Sequence, residues 1–219
     1  MAANQGRGKK RKAAGVAPRE RRKVRSAPVV PPERDPDARG RIHVYTGAGK
    51  GKTTCALGLC LRALGNGWRV ALIQFDKGYD GENEHYAERK LLRTLPGVDL
   101  HPTGLERMNA DGTFRFGAEP GDVAEARRGL AIAAEVIAAR RQRLVILDEA
   151  LSAVMVGLFP KEEVMRLLDL HAKAPRAELV LTGWNAWEEL VARADLVTEM
   201  RKVKHYYDAG VGARAGVEF

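Results

Sequence analysis

The residues best equipped for chemistry in this 219-residue chain stand in one run, Thr46-Gly47-Ala48-Gly49-Lys50-Gly51-Lys52-Thr53-Thr54. Gly47, Gly49 and Gly51 free the backbone to turn N–H groups toward phosphate oxygens, while Lys52 adds a point charge and Thr53 a hydroxyl suited to Mg²⁺. Ala48, Lys50 and Thr54 complete the loop, and a helix starting at its end would add a positive dipole. A glycine turn that binds nothing has no use for two lysines and paired threonines. One position departs from the usual phosphate-loop pattern: Thr46 stands where glycine is expected, five residues before Gly51-Lys52. A second feature is Leu144-Val145-Ile146-Leu147-Asp148-Glu149-Ala150, a buried apolar strand ending in two carboxylates. Asp148 and Glu149 are the candidate Mg²⁺ holders beside Thr53, directly or through water. Lys52, Thr53 and Glu149 are the candidate catalytic groups. An Asp-Glu pair also serves ATP hydrolases, so this feature alone does not separate transfer from hydrolysis.

These residues need a scaffold that brings two strand ends together. Apolar runs at 42–45, 70–75, 144–147 and 179–181 are short, β-branched and closed by Gly, Asp or Thr, which predicts buried parallel strands. Helical spacing covers 53–64, 120–140, 160–173 and 186–192. Strand and helix in alternation predict an α/β fold, one parallel sheet with helices on both faces and ligands at the strands' carboxyl ends.

Charge divides the chain. Residues 1–40 carry 12 Lys and Arg against 4 Asp and Glu, a balance of +8, and the remainder 25 against 24, or +1, so nearly all of the net charge of +9 belongs to the tail. That tail, basic and proline-containing, offers little to bury and is expected to be disordered, leaving 41–219 as the folded domain. It has no aromatic residue to stack on a base, which favours a solvated extension over a nucleic-acid arm. Removing residues 1–38 is therefore expected to leave the chemistry intact. Cys55 and Cys60, in an apolar helical stretch, suit packing rather than a metal or a disulfide. No apolar run reaches the ~18 residues of a membrane span and no signal-like segment opens the chain, so a cytoplasmic protein is expected.

The phosphate loop, with Thr46 in place of the first glycine, resembles that of the P-loop-type corrinoid adenosyltransferases. Gln74-Phe75-Asp76-Lys77-Gly78, Leu147-Asp148-Glu149 and Leu181-Thr182-Gly183 agree in order and spacing. The most distinctive stretch is the C-terminal run, Val203-Lys204-His205-Tyr206-Tyr207-Asp208-Ala209-Gly210-Val211 and on through Ala215-Gly216-Val217-Glu218-Phe219. The resemblance spans 41–219. It implies a RecA-like P-loop NTPase fold, ATP as co-substrate with Mg²⁺ or Mn²⁺, and a corrinoid, cob(I)alamin or cob(I)yrinic acid a,c-diamide, whose Co(I) attacks the ribose C5′ and releases triphosphate. Lys50, Lys52 and the loop amides, with a metal near Thr53 and Glu149, would then stabilise the departing triphosphate. Co(I) needs no general base, so the lack of a His/Asp or Cys/His pair fits.

The resemblance further implies a flavoprotein reductase as electron donor, a homodimer, and a C-terminal segment near the nucleotide or a subunit contact. It calls for aromatic residues that cover the lower face of cobalt; Phe114 and Phe116 are this sequence's candidates, with loop anchoring as the alternative. His205 reads as a packing or hydrogen-bonding residue, and Trp68, Trp184 and Trp187 as core or rim. Two other classes compete: a RecA-like ATP hydrolase working with nucleic acid, supported by the basic tail, and a non-catalytic nucleotide-dependent module. Neither requires the C-terminal run.

Overall fold

Two strands are apolar up to a single polar last residue, Val70–Gln74 (β2) and Leu144–Asp148 (β4), and both are buried at every residue. Such strands are stable only with both faces covered. The structure, a computed structural model, describes residues 39–78, 84–107, 115 and 117–219. All of them belong to one unit, Asp37–Phe219. The basic segment 1–38 lies outside the described residues.

Six parallel strands run in the order β3-β2-β4-β5-β1-β6, with β1 at Ile42–Thr46, β3 at Val98–Pro102, β5 at Glu178–Thr182 and β6 at Leu196–Glu199. The alternation of side chains divides the core in two. Val44, Ile73, Val145, Leu147, Leu179 and Leu181 face helices α3 (Pro120–Ala139) and α5 (Lys161–Ala172), with Leu190 of α6 (Glu188–Arg193) in the same cluster. Val70, Leu72, Leu144, Ile146 and Val180 face Ala56, Cys60 and Ala63 of α1 (Lys52–Gly65) and Leu92 of α2 (Ala87–Leu92). Helices therefore cover both faces, as the alternating pattern predicts.

Local signals set the helix ends. Glu119 and Asp122 form a reciprocal capping box ahead of Pro120 in α3, and Gly51 opens α1 with a left-handed φ of 116°. Cys60 is fully buried as expected, but Cys55 is exposed: it falls on the outer side of α1. Trp187 packs against the core, Trp68 lies under the Arg143 guanidinium at 4.9 Å, and Trp184 is a rim residue. Two strands and two helices are additional to the predicted set, β3, β6, α2 and α4 (Ala150–Met155). β3 reads Val-Asp-Leu-His-Pro and β6 is exposed at all four residues, so neither edge strand carries an apolar run.

Candidate functional site

The loop between β1 and α1 is built from inside. The Lys52 ammonium turns back on its own loop, donating to the carbonyls of Gly47 at 2.7 Å and Gly49 at 2.9 Å. Burial pushes Lys52 down from its ordinary value against the pull of Glu149. Gly47 has φ 102°, and a Cβ there would lie 2.5 Å from the Met200 carbonyl. The Gly49 amide points not into the cleft but at that same carbonyl, donating at 2.6 Å. Gly47 and Gly49 thus seat the loop on the chain leaving β6, while Lys50, Gly51, Lys52, Thr53 and Thr54 line the cleft. Ala48 is exposed outside it. The unusual Thr46 is buried, and its hydroxyl accepts from the Ala186 amide at 3.0 Å, tying the end of β1 to the β5–α6 connection. Glycine could not make that tie.

Two strands away, Asp148 is fully buried and its carboxylate is saturated. Oδ1 accepts from the hydroxyls of Thr53 at 3.0 Å and Thr182 at 2.7 Å. Oδ2 accepts from Lys77 Nζ at 2.6 Å and Gln74 Nε2 at 3.3 Å. Burial alone would raise the Asp148 carboxyl; the Lys77 charge and these donors overcome it and hold it below its ordinary value. Lys77 moves the other way: burial would lower it, but the Asp148 and Glu149 carboxylates raise it. Glu149 lines the cleft from a left-handed backbone, φ 60°, at the start of α4. Its amide donates to Thr182 Oγ1 at 2.8 Å, and its carboxylate accepts from Ser152.

Two contributors escaped the sequence reading. Lys77 appears there only as one letter of a motif, yet it donates to Thr53 Oγ1 at 3.0 Å as well as to Asp148. Arg89 gave no signal, sitting in a short polar stretch before β3. In the structure it is fully buried beneath the Tyr86 ring at 4.5 Å. Its guanidinium donates to Gln74 Oε1 at 2.7 Å, the Lys77 carbonyl at 2.7 Å, and the Gly78 carbonyl and Glu84 carboxylate at 3.2 Å each. Arg89 therefore fixes the β2 exit from which Lys77 projects.

The C-terminal run closes the other side of the cleft, a space of about 460 Å³ whose wall includes residues 216–219. Lys50 Nζ donates to the Val217 carbonyl at 2.8 Å and pairs with Glu218 at 3.1 Å. Glu218 also takes the Tyr206 hydroxyl and the Arg214 amide and guanidinium. These partners, Tyr206 first, hold its carboxyl down at about 2. Phe219 stacks on His85 at 4.5 Å with the rings 12° apart. His205 is a hydrogen-bonding residue, its Nδ1 accepting from the Tyr207 amide at 3.1 Å.

Beyond the β2 and β3 ends lies a second polar group. Arg107 donates to Asp76 Oδ1 at 2.6 Å, and Arg115 grips Asp122 with two bonds of 2.8 Å. Phe114 and Phe116 lie outside the described residues.

No group of three or more His, Cys, Asp and Glu suited to a metal occurs among the described residues. A divalent cation here would rest on one or two protein oxygens plus phosphate oxygens, the usual arrangement for Mg²⁺ with a nucleotide. Thr53 Oγ1 and Asp148 fit that role, because the two already converge on a cationic group, the Lys77 ammonium. Among the described residues no helix is long and apolar enough to cross a membrane.

A glycine loop between β1 and α1, facing a buried acidic strand end across an all-parallel sheet, defines an α/β protein of the P-loop type. Residues 38–219 match the family described as ATP:corrinoid adenosyltransferase BtuR/CobO/CobP, and the chain belongs to that family. It is 36% identical to a corrinoid adenosyltransferase of Pseudomonas aeruginosa over 184 residues, which is 84% of this chain and 85% of that one. It is 34% identical to the corrinoid adenosyltransferase of Escherichia coli over 84% of this chain and 87% of the relative. The Salmonella typhimurium corrinoid adenosyltransferase is 33% identical over the same shares.

Proposed function

We propose that the chain transfers the 5′-deoxyadenosyl group of ATP to the Co(I) of a corrinoid and releases triphosphate. The observation that carries this reading is the cleft itself, in which Lys50, Lys52 and Lys77 line one space with Glu149 and the C-terminal run of the family. In the reaction the Co(I) electron pair forms the Co–C5′ bond, the C5′–O bond breaks, and its pair leaves on the triphosphate. The chain's task is to neutralise that leaving group and to hold cobalt in line with C5′, and orientation of this kind is worth about 7–11 kcal/mol. Lys52, Lys50 and the cleft-lining end of the loop, Gly51 to Thr54, would bind the phosphates; Thr53, Asp148 and Glu149 are the residues that would hold Mg²⁺ or Mn²⁺. When bound, the metal supplies further neutralisation of the triphosphate.

The acceptor would be cob(I)alamin or cob(I)yrinic acid a,c-diamide, with Phe114 and Phe116 covering its lower face. Unchanged turnover after replacing both with Ala would end that assignment. The reading includes a cytoplasmic setting, and resemblance to the family supports a homodimer served by a flavoprotein reductase; the basic, proline-containing composition of the N-terminal tail supports its being dispensable, so that deleting residues 1–38 would leave the chemistry intact.

Anaerobic incubation with ATP, Mg²⁺ and chemically reduced cob(I)alamin tests the function. A photolabile adenosyl–cobalt spectrum with one triphosphate per product is expected. ADP and phosphate with no change in the corrinoid would instead establish the hydrolase.

A further inference from the structure

Lys77 holds the place that a divalent cation would take. Its ammonium lies 3.0 Å from Thr53 Oγ1 and 2.6 Å from Asp148 Oδ2, the two groups best suited to the metal. A bound Mg²⁺ would need ligand oxygens at about 2.0–2.1 Å, and it cannot share them with an ammonium seated between them. Metal and Lys77 are therefore alternative occupants. The backbone of Lys77 is fixed on both sides, its amide donating to the Thr103 carbonyl at 3.0 Å and its carbonyl accepting from Arg89 at 2.7 Å. Only the four-carbon stem is free to move. It emerges into the cleft that Lys50 and Lys52 also line, where a triphosphate would give the ammonium new acceptors. The loop lysine does not compete for this place, since Lys52 is engaged by the Gly47 and Gly49 carbonyls.

We propose that Lys77 is an exchangeable internal cation: it closes the Thr53–Asp148 metal position in the free enzyme and moves onto the nucleotide's phosphates when they arrive, so that metal loading depends on ATP. This rests on the reading of the cleft as a triphosphate site. Lys77 is thus a positioning residue with two stations, and its removal has effects of opposite sign. Without the ammonium, free metal binds more readily; without its second station, metal-free ATP binds less well. A residue that only supported the fold would weaken both.

The experiment compares wild type with Lys77→Met by Mn²⁺ binding followed by electron paramagnetic resonance, without nucleotide, and by ATP binding in EDTA. The expected result is Mn²⁺ affinity raised about tenfold or more in the variant, and metal-free ATP affinity lowered by a similar factor, each equivalent to ~1.4 kcal/mol. Lys77→Gln, which keeps a neutral donor for Asp148, is expected to shift both in the same directions and serves where Lys77→Met does not fold. Equal Mn²⁺ affinity in variant and wild type, with ATP still bound by wild type, overturns the exchange and leaves the cleft reading intact. Failure of wild type to bind ATP at all overturns both.

Discussion

Replacing Arg89 with Met tests how firmly the β2 exit is held. The variant keeps most of the side-chain volume and removes every bond of a fully buried guanidinium. Gln74 Oε1 and the Lys77 and Gly78 carbonyls each lose this donor. At about 1 kcal/mol apiece these come to roughly 3 kcal/mol. Glu84 keeps Arg93 at 2.5 Å, so its charge is not stranded, and the pair term falls at the low end of the ~3–5 kcal/mol for breaking a buried ion pair. Burial of the thioether offsets about 1–2 kcal/mol. A net loss of about 4–5 kcal/mol is expected from urea denaturation, with a raised KM for ATP because Gln74 and Lys77 both lean on Asp148. Arg89→Lys should recover less than half, since a point charge cannot reproduce the fork. A stability within 1 kcal/mol of wild type, with KM for ATP unchanged, would refute the reasoning.

Gly129→Ala would place a Cβ 2.7 Å from Phe75 Cε1 and 2.9 Å from Thr103 Oγ1, so about 1–3 kcal/mol of overpacking should outweigh the gain in helix propensity and lower Tm. A raised Tm would show that the α3–sheet contact yields easily. Asp122 is held at about 2, first by its Arg115 bonds, so its contribution is complete above the ordinary carboxyl value near 3.8 and fades as pH falls through about 2. Allowing for the partly exposed Arg115, about 1–2 kcal/mol is involved, and Asp122→Asn should flatten the stability profile between pH 4 and 2; a slope equal to wild type contradicts this. Phe219→Ala removes the stack on His85 and is expected to raise KM for ATP roughly three- to tenfold with Tm unchanged, as measured by steady-state kinetics and calorimetry.

The sequence was most legible where burial imposes a pattern. β1, β2, β4 and β5 are short, mainly apolar, β-branched runs, and the glycine loop and the acidic strand end announce themselves at two of their ends. β3 and β6 were missed because edge strands tolerate Asp99, His101, Thr198 and Glu199. α2 and α4 have six residues each, too few for periodicity to register, and depend on tertiary contacts for their stability. Within the site, residue types were readable but their partners were not. Nothing in the sequence says that the Gly49 amide serves Met200, that Thr46 ties down Ala186, or that Lys77 reaches Thr53 and Asp148 from another strand. Such pairings join residues up to 151 positions apart and exist only once the sheet order is set.

The two cysteines of α1 differ in a way that is useful at the bench. Burial pushes the Cys60 thiol up to about 11, so at neutral pH it is protonated and shielded. Cys55 is exposed, and its amide closes the first turn of α1 on the Gly51 carbonyl at 2.8 Å. A maleimide dye should therefore mark one atom of the wild-type chain, one helical turn from the phosphate loop, and report nucleotide arrival by fluorescence without any engineered site.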